Sequence, residues 1–119
     1  MASMSTSELR GVTNIAAATG AANGVVTATL AAPGVGLRWK ITQAVASFTG
    51  AAPSVPIACT ITVGPTAFIV GIDSGLQLPF VNPINGSDNG TAVISLAAGG
   101  ASVVGQVAIM GYVEAVTTL

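Results

Sequence analysis

The fold of this chain is decided by a six-residue stretch, Leu37-Arg38-Trp39-Lys40-Ile41-Thr42. Apolar Leu37, Trp39 and Ile41 alternate with polar residues, and this period of two predicts a strand with one buried face. The same alternation returns in residues 57–63 and 91–96. We therefore expect β-strands here, with Arg38 and Lys40 on an outward face and Trp39 in the core.

Turn-forming residues punctuate the rest of the chain about every 8–15 residues, which is typical of an all-β sandwich or barrel. They occur at residues 20–24, 33–34, 50–53, 64–65, 73–75, 82–86, 89–90 and 99–100. The last run, residues 103–116, is apolar on one face and only weakly polar on the other, so both faces are expected to meet protein. Residues 4–18 are expected to give one short helical turn. The whole pattern predicts an all-β, jelly-roll-like antiparallel β-sandwich of about eight strands.

The length of 119 residues predicts one domain, residues 11–119, preceded by a short flexible N-terminal arm, residues 1–10. Cys59 is the single cysteine, so no disulfide can form within one chain. Its place in an alternating strand predicts a small buried hydrophobe. A chain of this kind is expected to be made in a reducing cytoplasm.

Charged residues are scarce: they make up 6% of the chain, against 51% hydrophobic residues. A soluble monomer normally carries about a quarter charged residues. Three cations are too few for the basic patch that nucleic acid requires. The apolar runs are also shorter than the roughly 18 residues of a membrane-spanning helix. We therefore expect neither a nucleic-acid partner nor a membrane, but a surface largely covered by other protein.

Catalytic chemistry has few candidates in this sequence. Histidine is absent, and the four carboxylates, Glu8, Asp73, Asp88 and Glu114, are far apart in the chain. Residues 82–90 are rich in side-chain oxygens, but Asn, Asp, Ser and Gly are also the residues of ordinary turns, and we favour a turn over a calcium site. We expect no enzyme activity, no metal and no cofactor.

One internal match stands out. Asn23-Gly24, five residues and then Leu30-Ala31-Ala32-Pro33-Gly34 resembles Asn89-Gly90, five residues and then Leu96-Ala97-Ala98-Gly99-Gly100. Each copy reads as a turn, a strand and a turn. In a chain this rich in Ala and Gly, chance explains the match better than a duplication, although both copies support the same strand assignments.

The order of these features resembles the capsid decoration, or cement, proteins of tailed bacteriophages. The resemblance covers residues 10–116: a polar arm, the strand at residues 37–42, middle strands punctuated by Pro and Asn-Gly, the run at residues 91–100, and a closing strand at residues 105–112. It implies a jelly-roll sandwich that sits as a homotrimer on the capsid lattice, bridges neighbouring major capsid protein subunits and needs no active site.

We therefore predict a structural virion protein, located on the capsid surface, that decorates and stabilises a bacteriophage capsid. The predicted protein-contact residues are Leu9, Arg10, Arg38, Lys40 and Tyr112. An alternative is a receptor- or glycan-binding module of a phage tail or head fibre, in which Tyr112 and the loop at Asp88 and Asn89 would supply the sugar contacts.

Overall fold

The computed structural model describes residues 13–116, which form eight antiparallel strands in two four-stranded sheets. The strands are β1 (Asn14–Ala22), β2 (Val26–Leu30), β3 (Leu37–Gly50), β4 (Ile57–Val63), β5 (Thr66–Ile72), β6 (Leu76–Asn85), β7 (Ala92–Leu96) and β8 (Val103–Ala115). A helix long and apolar enough to cross a membrane is not found among these residues.

The strand order is that of a jelly roll. One sheet runs β1-β8-β3-β6 and the other runs β2-β7-β4-β5, so strands that are distant in the chain lie side by side. Two four-stranded sheets of eight strands, connected in this crossing order, are the jelly-roll form of the β-sandwich. The predicted fold class is therefore confirmed.

The core lies between the two sheets and is built by the alternation seen in the sequence. Trp39 and Ile41 of β3 are buried, whereas their neighbours on the same strand point outward. The facing sheet contributes one buried residue at every second position of β2, β4 and β7. These are Val26, Ala28, Leu30, Ile57, Cys59, Ile61, Val63, Ala92, Ile94 and Leu96.

Two local predictions were wrong. The predicted helical turn at residues 4–18 is a strand from Asn14 onward, and residues 4–12 lie outside the described part of the chain. Pairing with β8 and half-burial of Ala16 and Ala18 outweigh the helical propensity of alanine. Most of the predicted turn at residues 82–86 belongs to β6, which ends at Asn85, since an edge strand tolerates a proline such as Pro83.

The two matched segments form equivalent structures, which confirms that both copies support the same strand assignments. Asn23 and Asn89 both have a left-handed backbone, with φ of 54° and 53°. The amide of Asn23 donates to the carbonyl of Val103, and the amide of Asn89 donates to that of Leu37, 66 residues earlier than Val103. Strands β1–β3 therefore correspond to β6–β8 with an offset of 66 residues, and the β4–β5 hairpin lies between the two halves.

The side chains of the two asparagines cross between these halves. Asn23 Oδ1 accepts a hydrogen bond from the amide of Gly100, at 3.1 Å. Asn89 Oδ1 accepts one from the amide of Gly34, at 2.9 Å. Each asparagine therefore fastens the loop of the other half, and we call these two connections the clasps. They lie at opposite ends of the sandwich.

Candidate interaction surface

Three of the five predicted contact residues lie together on the outer face of the β1-β8-β3-β6 sheet. Arg38 and Lys40 point outward because their neighbours Trp39 and Ile41 point into the core. In the β3–β8 register, Lys40 lies opposite Tyr112, and Arg38 lies opposite Glu114. The other two predicted residues, Leu9 and Arg10, lie outside the described residues, so the structure does not place them.

Glu114 is the residue that the sequence analysis did not connect with this site. Its Oε2 atom lies 3.3 Å from Arg38 Nη2 and 3.5 Å from Lys40 Nζ. One carboxylate is thus shared by two cations, and the cluster keeps a net charge of +1. We call Arg38, Lys40 and Glu114 the charged cluster. Only knowledge of the β3–β8 register could have placed Glu114 beside the two cations.

The charged cluster is partly withdrawn from water. The side chains of Lys40 and Glu114 are each 17% exposed, so their interaction is less screened than that of a fully exposed pair. Arg38 Nε is buried and has no hydrogen-bond partner among the described residues. An unsatisfied buried donor is unfavourable, and an acceptor brought by a partner would remove that cost.

An apolar strip continues the same face away from the charged cluster. Along it, Ile15 faces Met110, and Ala17 faces Ala108, which in turn faces Val45. Ile15 is 62% exposed, and none of the five side chains is charged. We call these five residues the apolar strip. Ala108 and Met110 belong to the weakly polar face of the last strand, which the sequence predicts to meet protein.

The outer face of the opposite sheet has a different chemistry. Its strands β2, β4, β5 and β7 contain no charged residue. Hydroxyl side chains lie across it, and Thr27 Oγ1 is 3.0 Å from Ser95 Oγ. The outward hydroxyl residues of β2, β4 and β7 are Thr27, Thr29, Thr60, Thr62 and Ser95. We call this outer surface the hydroxyl face; the charged cluster lies on the other sheet.

Side chains of the oxygen-rich loop after β6 form hydrogen bonds that connect this loop to the loop between β2 and β3. Asp88 Oδ1 accepts a hydrogen bond from the amide of Gly36 at 2.7 Å, beside the clasp from Asn89 to Gly34. Within residues 13–116 there is no group of three or more His, Cys, Asp or Glu side chains that could hold a metal ion. One side-chain oxygen of Asp88 and one of Asn89 are therefore already used by backbone amides.

Two further features of the molecule bear on catalytic chemistry. Cys59 is buried at the centre of β4, and burial raises the pKa of its thiol, which keeps it protonated and poorly nucleophilic. A cleft of about 270 Å³ lies at the end of the sandwich away from the charged cluster, between the end of β3 and the turn at residues 73–75. Asp73 is the one titratable residue that lines it, so it presents no acid–base pair.

No protein-family model matches the chain, and no curated protein matches it significantly. Among solved structures, it is similar to the C-terminal domain of a structural protein from sulfolobus turreted icosahedral virus, with 13% identity over 84% of this chain and 98% of that one, at a TM-score of 0.44. PRD1 vertex protein P5 gives 12% identity over 84% and 95%, at a TM-score of 0.46. A ruminal GH26 endo-β-1,4-mannanase gives 14% over 82% and 19%, at 0.36. At TM-scores this low, these likenesses carry no argument about function.

Proposed function

We propose that this protein is a structural component of a virion, which decorates and stabilises a bacteriophage capsid by bridging major capsid protein subunits. The observation that carries the proposal is the outer face of the β1-β8-β3-β6 sheet, where the apolar strip adjoins the charged cluster. An apolar centre beside a few oriented charges is the usual composition of a protein–protein interface. In this proposal the protein has no catalytic activity, and it is made in the host cytoplasm before it joins the capsid surface.

Its physical properties support such a role. Few charges on the chain mean weak repulsion between copies, which suits a protein that is packed at high density on a lattice. Binding at many equivalent positions multiplies the effect of individually modest contacts. The described residues extend 52 Å along the longest axis and 25 and 21 Å along the others, and a long, narrow body suits contact with two neighbouring subunits. We propose a homotrimer, as the resemblance to decoration proteins implies.

Binding to capsids that lack this protein tests the docking face. We expect wild-type protein to bind the capsids of the virus that encodes it, and Ala17→Glu to weaken binding about tenfold or more, because it places a carboxylate in the apolar strip. Thr29→Glu is the matched control: it adds the same charge at an exposed position of an edge strand, but on the hydroxyl face. Its binding should equal that of the wild type.

Two results would contradict the proposal. Equal capsid binding by Ala17→Glu and wild type would show that the apolar strip is not part of the docking face. A copy number per purified particle that does not scale with the number of capsid subunits would favour the fibre alternative over the shell. Mass spectrometry of purified particles measures that copy number directly.

A further inference from the structure

The edges of the two sheets are protected to different degrees. A sheet edge presents unpaired backbone amides and carbonyls, and natural proteins protect it with prolines, charges, bulges or short strands. Strand β6 has Pro79 and Pro83, and β2 has only five residues. Strand β1 has a register shift between Thr19 and Ala22. Three of the four edges therefore carry a recognised form of protection.

The fourth edge, β5, has none of these features. Its seven residues, Thr66-Ala67-Phe68-Ile69-Val70-Gly71-Ile72, include no charge and no proline. Its register with β4 is continuous over the whole strand, and β4 is its one hydrogen-bonded neighbour among residues 13–116. Ile69, at the centre of the strand, is 69% exposed. A flat, apolar, uncharged edge of this length is a surface for pairing with another strand.

We propose that β5 pairs with β5 of a second copy, antiparallel, about a twofold axis at Ile69. The five central residues of the strand, 67–71, are complementary to themselves about Ile69. Phe68 would lie opposite Val70, Ala67 opposite Gly71, and Ile69 opposite the same residue of the second copy, so that large side chains meet large ones and small ones meet small ones. With no charge on the strand, no like charges are brought together.

The β5–β5 contact would extend both the outer and the inner face of the β2-β7-β4-β5 sheet into the second copy. The exposed Ile69 side chain lies on the hydroxyl face, where it would pair with its copy. Phe68 and Val70 face inward and are half-buried, and Phe68 meets Phe80 edge-to-face at 6.2 Å between ring centroids. The two β2-β7-β4-β5 sheets would thereby become one sheet of eight strands. The contact goes beyond the proposed function, because it joins copies of this chain through the sheet that does not carry the docking face.

Substitution at Ile69 tests the contact by analytical ultracentrifugation over a range of concentrations. Ile69→Lys places two like charges opposite each other at the axis, and we expect it to halve the mass of the wild-type assembly. Ile69→Glu should do the same. An equimolar mixture of the two variants should restore the wild-type mass, because Lys then faces Glu. Such a rescue is specific to a twofold contact in which residue 69 meets itself.

Val81→Lys is the matched control, since Val81 is also an exposed apolar residue of an edge strand, at 94% exposure, but in the proline-containing β6. It should leave the mass unchanged. As a second measurement, mild oxidation should link Ile69→Cys chains into covalent dimers and should not link Val81→Cys chains. Circular dichroism verifies that each variant is folded.

The proposal is overturned if the wild type is monomeric at every concentration, if Ile69→Lys keeps the wild-type mass, or if the mixed variants do not reassociate. Capsid binding by Ile69→Lys should equal that of the wild type, because the docking face lies on the other sheet. The two proposals can therefore fail separately. If the copies also form trimers, loss of the β5 contact should leave single trimers.

Discussion

The two halves of this sandwich, β1–β3 and β6–β8, share one backbone plan but differ in what fills its two ends. Position 39 in the first half corresponds to position 105 in the second, and these positions hold Trp39 and Gly105. The indole of Trp39 is buried, and its Nε1 donates to the carbonyl of Ala31 at 2.9 Å. At Gly105, the side chains of Leu96 and Val26 occupy the corresponding space. The comparison teaches that repetition of the hydrogen bonds fixes the fold, while unequal core residues distinguish the ends.

The end that contains Trp39 is also the more firmly connected. It has the clasp from Asn89 to Gly34 and, in addition, the bond from Gly36 to Asp88. The equivalent of Asp88 in the first half is Ala22, which has no side-chain acceptor. Gly36 is two residues from Arg38, so this extra bond supports the backbone beneath the charged cluster. The proposed docking face is thus built on the better-braced end.

The largest expected effect is at Trp39. Trp39→Ala would leave a cavity at its end of the core, and we expect it to lower the free energy of unfolding by about 3–5 kcal/mol. Trp39→Phe keeps an aromatic ring and loses the hydrogen bond to Ala31, so its loss should be smaller. Chemical denaturation measures both values. A loss below about 1 kcal/mol for Trp39→Ala would mean that the two ends are less different than their packing indicates.

An intermediate effect is expected at the equivalent position in the other half. In Gly105→Ala, the added Cβ would lie 2.9 Å from Leu96 Cδ2 and 3.1 Å from Val26 Cγ1. Overpacking of this kind should lower the free energy of unfolding by about 1–3 kcal/mol. Gly75→Ala is the control, because nothing lies within 4 Å of its added Cβ, and it should change stability by less than about 0.5 kcal/mol. Equal effects in the same denaturation assay would show that the Gly105 end can accept a larger residue.

The smallest effects are expected at the clasps. Asn23→Ala and Asn89→Ala each lose an exposed hydrogen bond and place alanine in a left-handed backbone, and each should lower the free energy of unfolding by about 1–2 kcal/mol. Asn→Gly at the same positions keeps the backbone conformation and removes the acceptor, so the loss should be about 0.5–1 kcal/mol. Thermal and chemical unfolding should rank both pairs alike. A loss confined to one asparagine would show that the two clasps are not equivalent.

Much of the fold could be predicted from the sequence, because β-branched alternation reports directly on which face of a strand is buried. That is why Trp39, Cys59 and the outward direction of Arg38 and Lys40 were predicted correctly. β1 was missed because its alanines favour a helix when no partner strand is known. Pairing with β8 stabilises the extended conformation of these alanines, which local propensity alone does not favour.

The relation between the halves could not be predicted for a similar reason. Six identical residues in an Ala/Gly-rich chain are weak evidence, whereas the reciprocal bonds of Asn23 and Asn89 are visible only after folding. The charged cluster depends on register in the same way, since Glu114 is 74 residues from Lys40 in the chain. The relation of the two halves and the position of Glu114 thus depend on strand pairing over long distances in the chain, which the sequence pattern does not specify.

The lone thiol in the middle of β4 has a practical consequence. Cys59 is fully covered by its neighbours on both sheets, so a soluble alkylating reagent can reach it only while the sandwich is briefly apart. Cys59 is therefore a built-in reporter of spontaneous opening. Its alkylation rate would measure how often the core opens in the free protein and on a particle.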